Sequence, residues 1–176
     1  GGPGMLMMPQ PIYDAFLSIP GYEKAYKIYV SPKGKVFNQE MSKQMAKGYE
    51  HIIILCGHYE GVDARITDYI DGEICIGDYI LTGGEIASMI VADSVIRLLD
   101  GAIKNESTSD ESFENGLLEY PQFTTPRDYN GNKVPDILFS GNHKAIEEYR
   151  FKESIKKTKN IRPELIDESK FSKTQS

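Results

Sequence analysis

The chain has 176 residues and a mass of 19.8 kDa, room for one domain and a small appendage. Its apolar fraction of 40%, charged fraction of 26% and aromatic fraction of 10% are those of a globular protein and exclude collagenous, disulfide-scaffold and largely disordered classes. The net charge of −6 argues against indiscriminate binding to a polyanion, although residues 141–176 hold nine Lys/Arg against six Asp/Glu, a local +3 that permits nucleic-acid contact at one end or simply an ordinary charged surface helix.

The start, Gly1-Gly2-Pro3-Gly4-Met5, has neither the basic region nor the long apolar core of a signal peptide. No apolar run approaches the ~18 residues that span a bilayer. Cys56 and Cys75 lack CxxC spacing, so neither a disulfide framework nor a zinc site is suggested. A cytoplasmic protein without membrane contact is the expectation.

In chain order, Gly1–Gly4 reads as a loop entered from something upstream. Lys27-Ile28-Tyr29-Val30 is a short β-prone run stopped by Ser31-Pro32-Lys33-Gly34. Residues 39–47 look helical. Ile52-Ile53-Ile54-Leu55-Cys56 is a continuous apolar run, as in a strand buried on both faces. It ends at Gly57-His58-Tyr59-Glu60-Gly61, and a polar helical stretch follows. Residues 73–81 form a third β-prone region, ended by Thr82-Gly83-Gly84-Glu85. A helix then runs from Ile86 to Leu99, with Ile86, Met89, Ile90, Ile96 and Leu99 as its apolar positions, and Asp100-Gly101 closes it. Strands alternating with helices predict a parallel α/β sheet.

The character changes after Gly101. Residues 104–115 read as a polar linker, residues 120–126 as an extended stretch, and Asn130-Gly131 as a turn. Residues 142–157 look helical, with Ile146, Tyr149 and Ile155 close to one face. This second unit of about seventy residues is too small to hold a large core alone.

Three glycine loops, 31–34, 57–61 and 82–85, follow three strands. Ligands of parallel sheets bind beyond the carboxyl ends of the strands, and glycine lets backbone groups approach a flat ligand. Each glycine could equally serve only its own turn. Neither GxxxxGK[ST] nor GxGxxG is present, so nucleotide hydrolysis and dinucleotide redox chemistry lose support. A nucleoside ligand without a phosphate chain, such as adenosylmethionine, stays open. Asp110-Glu111, in the linker, offers a carboxylate that could serve as general base or be merely solvated. Arg97 lies on the long helix among apolar neighbours, as a site cation or a snorkelling surface arginine. His58, beside two glycines, could touch a ligand or face solvent. His51 and His143 have no metal-ligand spacing.

Gly1-Gly2-Pro3-Gly4-Met5-Leu6-Met7-Met8, Tyr29-Val30-Ser31-Pro32, Cys56-Gly57-His58-Tyr59-Glu60-Gly61-Val62-Asp63, Ile76-Gly77-Asp78-Tyr79-Ile80-Leu81-Thr82-Gly83-Gly84-Glu85, Asp93-Ser94-Val95-Ile96-Arg97 and Ser140-Gly141-Asn142-His143 together resemble the bacterial tRNA (guanine-N1)-methyltransferases, which methylate the guanine just 3′ of the anticodon. The resemblance covers nearly the whole chain in one order. It implies an α/β fold of the SPOUT class, a parallel sheet with a trefoil knot, followed by a small, mostly helical C-terminal domain. Knots are rare and no periodicity signals one. It implies a catalytic domain over 1–103, an interdomain linker over 104–115 and a tRNA-binding domain over 116–176.

By the same resemblance, S-adenosyl-L-methionine is held by Tyr29, Val30, Pro32, Gly57, Ile76, Gly77, Tyr79, Leu81, Gly83 and Gly84, with Glu60 near the reacting end. The family is a homodimer whose active site is shared between subunits, and some members use Mg²⁺ for turnover. Its base is an acidic residue of the linker. The family pattern places that base at Glu111, one methylene longer here than usual, with Asp110 beside it, and either could serve. Arg97 matches the arginine that partners the charge developing on the guanine. His58 stands where the family often has arginine. Family members carry roughly fifty further residues before Gly1-Gly2-Pro3-Gly4, so the chain is expected to be a fragment, poorly stable or inactive alone. The C-terminal domain grips the anticodon arm, with Lys152, Lys156, Lys157 and Arg162 as phosphate contacts. Competing expectations are another SPOUT methyltransferase acting on ribose or a different base, and a non-catalytic RNA- or nucleoside-binding module.

Overall fold

A computed structural model describes residues 4–102, 112–113 and 115–166. The chain divides into two compact units, Gly1–Ile103 and Lys104–Ser176. In the first, three parallel strands lie in the order β2-β1-β3, where β1 is Tyr26–Val36, β2 is Ile52–Cys56 and β3 is Gly72–Cys75. Tyr26 to Val30 pair in register with Ile52 to Cys56 on one side, and Ile28 to Val30 with Gly72 to Ile74 on the other.

Helices cover both faces, which is why β2 can be apolar throughout. Successive side chains of a strand point to opposite faces. Ile28, Val30 and Ile74 therefore join Met45 of α2 (Gln39–Gly48) and Ala87, Val91 and Val95 of α3 (Glu85–Ile96) in one buried cluster, with Ile52 and Ile54 packed against it. Ile53 faces the other way. It meets Ile12 and Phe16 of α1 (Pro9–Ser18), Ala25, and Ile66 of a 3-10 turn over Ala64–Tyr69, with Leu55 beside them. Each fully buried Ile or Val contributes about 1.5–3 kcal/mol.

Local chemistry sets the helix starts. α1 opens with proline in its first turn, where a missing N–H costs nothing. α2 is capped by Asn38, whose side chain accepts the Met41 N–H at 3.0 Å. The Ser42 and Ser94 hydroxyls join α2 to α3 at 2.8 Å.

Three expectations need correction. β1 does not end at Val30. Both Val30 and Lys35 pair with Ile74, so Ser31–Gly34 form a bulge within a strand that continues to Val36. Gly34 permits this: a Cβ there would lie 2.4 Å from the Ile74 nitrogen. Conversely, β3 ends at Cys75, and 76–81, read as β-prone, forms a loop. The core face of α3 is also different. Ala87, Val91 and Val95, at i, i+4 and i+8, are buried, whereas Ile86, Met89, Ile90, Ile96 and Leu99 are exposed. The small and β-branched side chains let the helix approach the sheet, and the larger ones point outward.

In the second unit, Asp128–Tyr129 (β4) and Asn132–Lys133 (β5) form a hairpin across Asn130-Gly131, both at positive φ of 53° and 86°, as its tight turn requires. α4 spans His143–Ile161, longer than expected, and is capped by Asn142, which accepts the Ala145 N–H. The Thr158 hydroxyl, fully buried, accepts the Leu118 N–H and donates to the Ser154 carbonyl, tying residues 117–118 to α4. Arg127 lies over the Phe139 ring and Arg150 over the Tyr120 ring.

Candidate active site

The carboxyl ends of β1, β2 and β3 bring the loops together. Because β1 lies between β2 and β3, the chain leaving β3 must pass β1 to reach the end of β2. It does so. The Gly84 N–H donates to the Gly57 carbonyl at 3.1 Å. A Cβ on Gly84 would lie 2.9 Å from the Cys56 Cα and 3.0 Å from both the Gly57 nitrogen and Val30, so only glycine fits this crossing. Ser88 reinforces it, donating to the Gly84 carbonyl and meeting the Cys56 thiol, both at 2.8 Å.

Tyr29 sits beneath the second loop. Its ring is buried, its hydroxyl accepts the Val62 N–H, and burial pushes its phenol pKa up. A Cβ on Gly57 would fall 2.8 Å from that hydroxyl. The loop over 57–61 is further held by the N-terminal segment. Met7 donates its N–H to the Gly61 carbonyl at 2.9 Å and its carbonyl receives the Asp63 N–H at 3.0 Å. Glu60 is exposed, and its carboxylate accepts the Gly4 N–H at 2.6 Å. Asp63 accepts from the Arg65 side chain and backbone, which hold its carboxyl down to about 2.

The third loop presents Tyr79, Ile80 and Leu81 to solvent, with Ile80 78% exposed. The Tyr79 hydroxyl donates to the Ile76 carbonyl at 3.4 Å, laying the ring over Gly77. Exposed apolar side chains beside bare backbone suit a nucleoside, whose flat base needs walls and whose polar edges need main-chain groups.

The residues expected at the cofactor thus fall into three groups. Gly57, Gly83 and Gly84 are brought together, with Tyr29 and Val30 buried under them. Ile76, Gly77, Tyr79 and Leu81 lie on the loop after β3. Pro32 lies exposed in the β1 bulge. Arg97 caps the far end of α3. With the 12 residues of α3 between them, it lies about 20 Å from Gly84 at 1.5 Å per residue, beyond the reach of an arginine side chain. Asp110 and Glu111 lie outside the described residues. Among the described residues, no group of three or more His, Cys, Asp or Glu is arranged to hold a metal ion. None of their helices is long and apolar enough to cross a membrane. On the second unit, Lys152, Lys156 and Lys157 are exposed along α4, with Lys156 3.9 Å from the Glu153 carboxylate, and Arg162 is engaged with Glu164.

One contact was not foreseen. The His58 ring meets the Glu85 carboxylate at 2.5 Å, joining the second loop to the first turn of α3. An imidazole at 58 and a carboxylate at 85 are its only sequence signal.

A three-stranded parallel sheet, clad on both faces by helices and carrying glycine-rich turns gathered at its carboxyl edge, defines an α/β protein. The chain belongs to the family described as tRNA (Guanine-1)-methyltransferase TrmD, whose model matches residues 1–168. It is 55% identical over 171 residues to a tRNA (guanine-N(1)-)-methyltransferase of Ruminiclostridium cellulolyticum, covering 95% of this chain and 73% of the relative. It is 53% identical to the protein of that name from Mycoplasmopsis pulmonis, over 98% of this chain and 75% of the relative. With the one from Nostoc it shares 47% identity, over 99% and 70%.

Proposed function

We propose that the protein transfers the methyl group of S-adenosyl-L-methionine to N1 of the guanine 3′ of the anticodon in tRNA. Membership of the family supports the reaction. The observation that carries the site is the seating of Gly84 on Gly57 above Tyr29, which gathers the loops at one edge of the sheet. The passage of the chain across β1 to make that contact supports a trefoil knot of the SPOUT kind. Adenosylmethionine supplies an electrophilic sulfonium methyl. Gly57, Gly83 and Gly84 offer it main-chain groups at close range, and Tyr79 and Leu81 offer apolar walls.

The acceptor sets the remaining requirements. Guanine N1 carries a proton at neutral pH and is a poor nucleophile until that proton leaves. A positioned carboxylate, Glu111 or its neighbour Asp110, removes it as the methyl arrives. Negative charge then grows on O6 and is stabilised by a cation, the role of Arg97. Arg97 cannot reach the Gly84 cleft of its own subunit. The reading therefore makes the enzyme a homodimer in which Arg97 serves the partner's cleft. The exposed Ile86, Met89, Ile90 and Ile96 of α3, with Leu99 just past its end, support a second copy as the occupant of that face. The described residues offer Mg²⁺ no built site.

The target base must leave its stack to enter such a cleft. Lys152, Lys156 and Lys157 on α4 supply phosphate contacts that position the anticodon arm. The test is mass analysis of nucleosides from tRNA incubated with labelled adenosylmethionine. Wild type yields 1-methylguanosine, and Glu111→Ala and Arg97→Ala yield little. Label on ribose or on another base overturns the proposal.

A further inference from the structure

The loops at the sheet edge are tied twice. The backbone tie, Gly84 to Gly57, lies at the root of the crossing. The second tie lies at its rim, where His58 Nε2 and Glu85 Oε1 meet at 2.5 Å with both side chains about half exposed. Between them sits Gly83. A Cβ there would fall 3.2 Å from the His58 ring and closer still to the Glu85 carboxylate, so the pair closes over the Gly83 backbone. The loop that His58 belongs to needs holding: Tyr59 lies in the left-handed region at φ 58°, a conformation rare for a bulky residue. Glu85 is anchored by its own N–H at the first turn of α3, which together with His58 keeps its carboxyl below the usual range.

We propose that His58 and Glu85 form a latch that holds the Gly57–Gly61 loop against the Gly83–Gly84 turn and so sets the affinity for adenosylmethionine. They are positioning residues and take no part in methyl transfer. The proposal rests on the reading of these loops as the adenosylmethionine cleft.

The experiment is calorimetric titration of the full chain with adenosylmethionine, alongside steady-state kinetics on tRNA, for wild type, His58→Ala, Glu85→Gln, the double variant and His58→Arg. An exposed ion pair corresponds to about a 2–5-fold change in a binding constant. Each single variant is expected to raise Kd and KM for adenosylmethionine by that factor, leaving kcat at saturating donor and KM for tRNA unchanged. The double variant is expected to be no weaker than either single one. His58→Arg restores the wild-type Kd, because an N–H donor again faces the Glu85 carboxylate. A Kd unaffected by His58→Ala, additive effects in the double variant, or His58→Arg no better than His58→Ala overturns the latch. Wild type that binds no adenosylmethionine removes the reading of the cleft, and the latch with it.

Discussion

Gly84 rests on Gly57, its N–H 3.1 Å from the Gly57 carbonyl, and this contact joins the chain that follows β3 to the end of β2 across the intervening strand. The φ of Gly84 is −83°, which any residue can adopt, so it is space and not backbone freedom that demands glycine here. Gly84→Ala would press a methyl against the Cys56 Cα at 2.9 Å. Overpacking of this kind costs about 1–3 kcal/mol. Urea denaturation should show a lower midpoint for Gly84→Ala, and adenosylmethionine binding should be lost at concentrations that saturate wild type.

Gly34 makes a separate case. Its missing Cβ would lie 2.4 Å from the Ile74 nitrogen and 2.5 Å from the Glu73 carbonyl carbon, both rigid backbone. Gly34→Ala should therefore force β1 and β3 apart beyond the bulge, at a cost at or above the ~3 kcal/mol upper end of overpacking. Thermal unfolding monitored by circular dichroism is the check. A melting temperature equal to wild type would contradict the bulge.

Tyr29→Phe removes the acceptor of the Val62 N–H while keeping the ring. Loss of one such hydrogen bond costs about 0.5–1.5 kcal/mol. Amide exchange at Val62 should quicken in the variant, while amides of α2 keep their protection.

Asp63 gives a pH dependence with a defined sign. Its carboxyl is held from the ordinary 3.8 down to about 2, chiefly by the Arg65 side chain. The stabilisation is therefore complete above 3.8 and lost as pH falls toward 2. Asp63→Asn should flatten the acid limb of the stability curve between those values and leave the neutral region parallel to wild type.

The basic residues of α4 predict a salt dependence. If Lys152, Lys156 and Lys157 each neutralise one phosphate, the slope of log K against log salt should fall by about 0.7–0.9 for every Lys→Ala change. Filter binding of tRNA between low and physiological salt measures it. A slope unchanged in the triple variant would remove α4 from the RNA surface.

The strand at Ile52–Cys56 was legible because five apolar residues in a row have few places to go except between two helical layers. The glycine loops were legible by their composition and position. The face of α3 was not, because this helix is apolar nearly all round, and periodicity cannot choose between Val91 and Ile90 when both sides qualify. The continuation of β1 through Ser31-Pro32-Lys33-Gly34 was hidden for another reason. Proline and glycine read locally as a stop, and only the partner residue Ile74, about forty positions on, shows that the strand resumes. Tyr79-Ile80-Leu81 reads as strand because apolar residues exposed on a loop carry the same composition as buried ones. The His58–Glu85 contact spans two loops that no local rule connects.

The length of α3 has a genetic consequence. On the proposal that Arg97 serves the partner's cleft, a subunit with a spoiled glycine crossing still carries a sound Arg97, and a subunit lacking that arginine still carries a sound cleft. Two such defective alleles, each inactive by itself, should when co-expressed restore one of the two centres in every mixed dimer, half the output of a dimer of intact chains.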